Sequence, residues 1–155
     1  MARRLAIDAN LLVLLAVGQV SRLWIGKHRR LRSYSEADFD LLASVLRGFD
    51  RVLLTPNVST ETSNLIGYGV EEPLRSQFMA ALGLILRGSD ESYRPSAEVS
   101  LTGEFMRLGL TDATWMIALD EQSVLLTDDG DLYRAAVHKG AKAFQFSEVR
   151  RLGRL

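Results

Sequence analysis

The sequence predicts an α/β protein, with a short parallel sheet covered by helices on both faces. Three observations carry this. Apolar runs at 5–7, 52–54, 124–127 and 143–146 alternate with longer segments whose apolar residues recur at helical spacing. The runs are apolar throughout, as in strands buried on both faces. The chain has 155 residues, 47% hydrophobic and 25% charged, which suits one domain with a sizeable core.

Each element follows from local chemistry. Residues 5–7 read as a buried strand ending at Asp8. Asn10 can cap the helix predicted over 11–19. Residues 21–33 read as irregular and basic. Ser35 is the next cap, with Asp38 in the first turn; Phe39, Leu42, Ala43 and Leu46 form the stripe leading to Gly48. Residues 52–54 form a second strand. Thr55-Pro56 is a capping residue followed by proline at the first helical position. Val58, Thr62, Leu65 and Ile66 form that helix's inner stripe, and Gly67 and Gly69 stop it. Helices are predicted over 72–86 and 97–108. Gly109 ends the latter, and Thr111 caps the next, over 112–121. A third strand at 124–127 leads into a tight turn at 128–131. A helix at 132–138, capped by Gly140, precedes a last strand at 143–146. No repeat, linker or low-complexity segment interrupts this order, so residues 1–155 read as one three-layer α/β/α domain.

Composition excludes several classes. With no cysteine there is no disulfide scaffold, thiol nucleophile, thiolate metal site or redox pair. Disorder does not suit so apolar a chain. Nineteen basic and nineteen acidic residues leave no net charge, so a nucleic acid could be met only by a local patch. The basic start and the apolar stretch at 11–17 superficially resemble a secretory signal. Asp8 and Asn10 interrupt it, and it falls short of the roughly 20 residues that span a bilayer. The expectation is a cytoplasmic chain without membrane association.

The informative residues are carboxylates. Asp8 directly follows the first strand, and Asp128, Asp129 and Asp131 follow the third. In a parallel sheet both positions lie at the carboxyl ends of the strands, where open α/β folds bind ligands. Glu61 shares a helix face with Val58 and Leu65, and a lone charge on an inward stripe is costly unless paired or metal-bound. Asp112 precedes Trp115, Met116 and Leu119 at helical spacing and leans towards the core. Each has a plainer account. Asp8 could cap the first helix, Asp112 could offset a helix dipole, Glu61 could face solvent, and 128–131 could be only a turn. Taken together, they can converge at one sheet edge. Crowded carboxylates repel unless a cation joins them, so Asp8→Asn is expected to raise the melting temperature of the metal-free protein. Hard divalent cations take such oxygen ligands and can activate water against a phosphodiester.

The stretches Ile7-Asp8-Ala9-Asn10, Thr55-Pro56-Asn57-Val58-Ser59-Thr60-Glu61, Leu110-Thr111-Asp112-Ala113 and Leu125-Leu126-Thr127-Asp128-Asp129-Gly130-Asp131-Leu132 resemble, in order, the motifs of PIN-domain ribonucleases. That family includes the VapC-type toxins of bacterial toxin–antitoxin pairs. The resemblance spans nearly the whole chain. It implies a metal-dependent endoribonuclease using Mg²⁺ or Mn²⁺, with Asp8, Glu61, Asp112 and Asp129 as the acidic site. Asp8, Asp112 and Asp129 would be the main metal ligands, Asp131 a further one, and Asp128 a substitute for Asp129. Asn10 and Thr127 would hydrogen-bond the carboxylates. The implied partners are RNA, an antitoxin protein and a second copy of the chain. The interval from Asp8 to Glu61 is longer than in the compact toxins, the excess falling near residues 21–33.

That basic segment holds Arg22, Trp24, Lys27, His28, Arg29, Arg30 and Arg32. It could grip an RNA backbone, with Trp24 stacking on a base, or be a solvated loop with Trp24 packed on the core. Nucleotide-binding motifs fail: Gly26-Lys27 lacks the P-loop spacing, and Gly67-Tyr68-Gly69 is followed by Glu71 and Glu72. Two other readings stay open. One is a non-catalytic PIN-like module that binds RNA or a protein; the other is a metal-dependent DNA nuclease.

Overall fold

In the computed structural model, which describes residues 2–155, the chain forms a five-stranded, all-parallel sheet covered by helices in a three-layer α/β/α arrangement. Met1 lies outside the described residues. In chain order the elements are β1 (Arg4–Ile7), α1 (Ala9–Val20), α2 (Glu36–Leu46), β2 (Arg51–Leu54), α3 (Pro56–Ile66), α4 (Leu74–Gly88) and β3 (Asp90–Glu91). They continue with α5 (Ser96–Val99), α6 (Phe105–Leu108), α7 (Leu110–Ala118), β4 (Ser123–Thr127), α8 (Gly130–His138), β5 (Lys142–Gln145) and α9 (Phe146–Leu152). Short 3₁₀ turns at Arg22–Trp24 and Arg29–Leu31 give the basic segment more order than its composition suggested.

The strand order is β3-β2-β1-β4-β5. The chain first builds outward from β1 through β2 to β3, then crosses back to add β4 and β5 on the other side. The sheet therefore switches direction between β1 and β4, where open α/β sheets form a crevice. Ile7 pairs with Leu126, so the next residues along each strand, Asp8 and Thr127, emerge side by side. The central strands are buried along most of their length, whereas β3 has two residues and β5 alternates exposed with half-buried positions. Short or polar edges suit strands with an unpaired side.

Helix α1 is apolar around its whole circumference, with Leu11 to Gly18 buried without a break. It is a core helix rather than an amphipathic surface one, and it packs on α2, α3 and α4. Gly18 is required by that packing: a Cβ there would overlap the Phe39 ring of α2. Ser35 and Asp38 form a reciprocal capping box at the start of α2. Thr55 accepts from the Val58 amide at the start of α3.

Several elements differ from the sequence expectation. Asp8, not Asn10, caps α1, because the helix starts earlier than expected and the Asp8 side chain accepts from the Leu11 amide. The helix expected over 97–108 is two short helices. The hydroxyls of Ser100 and Thr102 bond back to the carbonyls of Ala97 and Val99 and compete with its continuation. Helix α7 begins at Leu110 and is capped by Gly109 rather than Thr111. Phe146 ends no strand; it opens α9 and buries its ring beside Val149. Among the described residues no helix is long and apolar enough to cross a membrane.

Candidate active site

The carboxyl ends of β1 and β4 open into a cleft of about 150 Å³ lined by Asp8, Glu61, Asp112 and Asp129, with Asn10 and Arg30 at its wall. Four elements deliver the four carboxylates. Asp8 follows β1, Glu61 projects from α3, Asp112 lies in the first turn of α7, and Asp129 caps α8. A larger cavity of about 550 Å³ lies where β4 and β5 begin, at the opposite edge of the sheet, and includes Gln122, Lys139 and Lys142. The greater volume is thus not where the acidic residues converge.

Asp8 is buried, and both its oxygens accept hydrogen bonds. One oxygen accepts from the Leu11 amide at 3.0 Å; the other accepts from the Thr127 hydroxyl and from the Asp128 amide at 3.0 Å. Burial pushes its carboxyl above the usual range, against these three hydrogen bonds, and the Asp128 charge adds to the rise. Thr127 in turn accepts from the Asp129 amide at 2.9 Å, so one hydroxyl ties the two acidic positions together. The side-chain amide of an asparagine at this position could not accept from all three donors. Asp8→Asn would thus leave a donor without an acceptor, which opposes the gain expected from relieved repulsion.

Asp129 uses Oδ1 to cap α8, accepting from the amides of Asp131 and Leu132. Its other oxygen remains for the cleft. Asp112 is half-buried. Burial pushes its carboxyl up to about 7, with the charges of Asp129, Glu61 and Asp8 adding to the rise. Asp112 and Asp129 lie within hydrogen-bonding reach, and their contact favours the protonated form of Asp112. Glu61 does not sit on the buried stripe: Thr62 takes that place, and Glu61 is exposed at the cleft mouth.

The remaining candidates separate clearly. Asp131 points away, paired with Arg134 at 2.5 Å, and is not part of the cleft wall. Asp128 is a clasp. It accepts from the Tyr34 hydroxyl and the Ser147 amide, joining the segment before α2 to the start of α9. Among the described residues Asn10 bonds no carboxylate; its side-chain oxygen accepts from Arg30 at 3.2 Å. Arg22 is taken up by Glu36 and Asp40 and lies over Phe39. Trp24 is half-buried and edge-on to Phe78 at 6.0 Å, which removes it from the base-stacking role. Lys27 is exposed and lines none of the depressions around the cleft.

Arg30 reaches the cleft because of a residue that gave no signal in sequence. His28 is 1% exposed. Its Nε2 donates to the Ile66 carbonyl at 2.9 Å, and its Nδ1 accepts from the Arg30 amide. Burial keeps the ring neutral by lowering its pKa, which that pair of bonds requires. The ring pins the Arg29–Leu31 turn to the end of α3.

The cleft's donor set is hard oxygen, which suits Mg²⁺ or Mn²⁺ better than softer ions. None of its four carboxylates has an ion-pair partner among the described residues. Among those residues, however, no three Asp, Glu or His side chains stand close enough to form a ligand group. Closing on a cation therefore needs side-chain rotation, which the exposed Glu61 and Asp129 can supply. Compared with known proteins, the chain matches no family model and no curated relative.

Proposed function

We propose that the chain is a PIN-like, metal-dependent endoribonuclease whose site is the acidic cleft. One observation carries the reading: four carboxylates from segments far apart in sequence line one small cleft at the sheet's switch point, without an ion-pair partner among the described residues. So arranged, they repel one another, and the charges of Asp129, Glu61 and Asp8 add to the burial that raises Asp112 to about 7. Such a cluster adds little to stability and, once Glu61 and Asp129 rotate inward, would offer a cation oxygen ligands.

Asp8, Asp112 and Asp129 would hold Mg²⁺ or Mn²⁺, which when bound supplies Lewis acidity towards a phosphodiester and towards water. Asp8 is the fixed member, held by Leu11, Thr127 and Asp128. Asp129 is oriented by its own helix cap. Glu61 stands at the mouth, placed to orient a water or complete the cluster. Arg30, held by Asn10, offers the cleft's cationic contact for a phosphate oxygen. The chemistry does not depend on a 2′-hydroxyl; RNA as substrate, and a toxin's role in the cell, rest on the motif resemblance.

The test is incubation of a mixed structured RNA with purified protein in EDTA, Mg²⁺ or Mn²⁺, beside Asp112→Asn and Asp129→Asn. The expected result is cleavage that needs the metal and falls at least about a hundredfold in both variants. A folded wild type that cuts no RNA with either metal would overturn the reading.

A further inference from the structure

The acidic cleft is one of three depressions that meet around α3. A pocket of about 390 Å³ is formed by Arg29, Arg30, Arg32, Asn64, Leu65 and Tyr68. A second, of about 440 Å³, includes Asn57, Glu61, Asn64, Tyr93, Arg94 and Thr111. The first shares Arg30 with the cleft, the second shares Glu61 and Thr111, and the two share Asn64. Asn57, Glu61 and Asn64 form one stripe of α3 at helical spacing, and Tyr68 continues it just past the helix end. The result is a path across α3 with the acidic cleft beside its middle.

The chemistry at the two ends is alike. Tyr68 is 63% exposed, and the Arg29 guanidinium lies 4.7 Å from its ring centroid. Tyr93 is 71% exposed, and beside it Arg94 carries a buried Nε without a hydrogen-bond partner among the described residues. Arg29, Arg30 and Arg32 have no carboxylate partner within ion-pair distance among those residues, unlike Arg22 of the same segment. Two large aromatic rings thus stand exposed beside guanidinium groups that have no carboxylate partner among the described residues. They supply what a single strand needs: a π-face for each base and a cation for each phosphate.

We propose that Tyr68 with Arg29 and Tyr93 with Arg94 are two nucleotide subsites, binding unpaired bases on either side of the bond presented to the cleft. This rests on the nuclease reading for the position of the cleft between them, and it adds the requirement for a single strand. A duplex keeps its bases stacked on each other and cannot offer their faces to either tyrosine.

The test is fluorescence anisotropy of a labelled 12-nucleotide oligouridine with the full-length protein, in EDTA and in Ca²⁺, beside a 12-base-pair RNA duplex. Tyr68→Ala and Tyr93→Ala are each expected to weaken single-strand binding at least about fivefold. Tyr68→Phe and Tyr93→Phe should stay within about twofold, since stacking needs the ring and not the hydroxyl. Arg29→Ala and Arg94→Ala should each reduce the log–log salt slope by about 0.7, and Arg47→Ala, outside both pockets, should not weaken binding by more than about twofold. Circular dichroism confirms that each variant is folded. Binding unchanged in both folded Tyr→Ala variants overturns the proposal, even where the protein cleaves RNA. A wild type that binds no oligouridine in either buffer overturns it too and leaves the surface to a protein partner. Tyrosine-dependent binding without cleavage under any metal supports the subsites and removes the nuclease.

Discussion

Asp8 and Asp112 are both raised by burial but differ in the hydrogen bonds they accept. Asp8 accepts three hydrogen bonds, so Asp8→Asn should destabilise the metal-free protein by about 1–3 kcal/mol. In a chain of this size that lowers the melting temperature by roughly 2–4 °C per kcal/mol, readable by thermal denaturation in EDTA. Asp112 makes no such bonds and is raised by burial and by its acidic neighbours to about 7. From about pH 4 to about pH 7 the folded state keeps a proton that the unfolded state has released, so this group's contribution falls as pH rises. Asp112→Asn should therefore raise the melting temperature in EDTA at pH 8, and the gain should vanish near pH 4. A gain equal at both pH values would place the raised carboxyl elsewhere. Asp129→Asn separates capping from charge, since asparagine caps a helix as well as aspartate. It should leave stability within a few tenths of a kcal/mol while abolishing cleavage.

At the scale of elements, the site depends on how two helices begin. Gly109 caps α7 with φ 83° and ψ 176°, a conformation open essentially to glycine alone, and Asp112 lies in the first turn that follows. Gly109→Ala should cost about 1–3 kcal/mol by thermal denaturation and weaken metal binding through the shift of Asp112. The Asp128 clasp works at the other end. Asp128→Ala removes the partners of Tyr34 and Ser147 and should lower stability with cleavage retained, which distinguishes it from Asp129. The end of β1 at Asp8 and the helix starts at Ser35 and Thr55-Pro56 were legible in sequence because their signals are local, whereas the caps expected at Asn10 and Thr111 fall at Asp8 and Gly109. What escaped depends on distant partners or very short elements. β3 has two residues whose pairing comes from β2. Phe146 has a strand former's composition but turns into α9. Arg30 and Asn10 looked like a loop cation and a cap, and only His28, bonded to Ile66 thirty-eight residues away, sets their contact.

For the whole molecule, charge placement outweighs net charge. A neutral chain gathers carboxylates in one cleft and arginines beside it, none of them ion-paired among the described residues. His28, held neutral by burial, works against the Asp112 trend: its contribution is present above about pH 6.5 and declines as pH falls below it. The acidic cleft accordingly predicts a pH-dependent response to metal, because a cation must displace the Asp112 proton. Saturating Mg²⁺ should raise the melting temperature more at pH 8 than at pH 5.

The most direct measurement is calorimetric titration of Mn²⁺ into metal-free wild type, Asp112→Asn and Asp129→Asn at pH 6.5. The account predicts saturable binding to the wild type with proton release, weakened at least about tenfold in both variants. Undiminished Mn²⁺ binding in both folded variants, or no heat of binding to the wild type at millimolar metal, would contradict it.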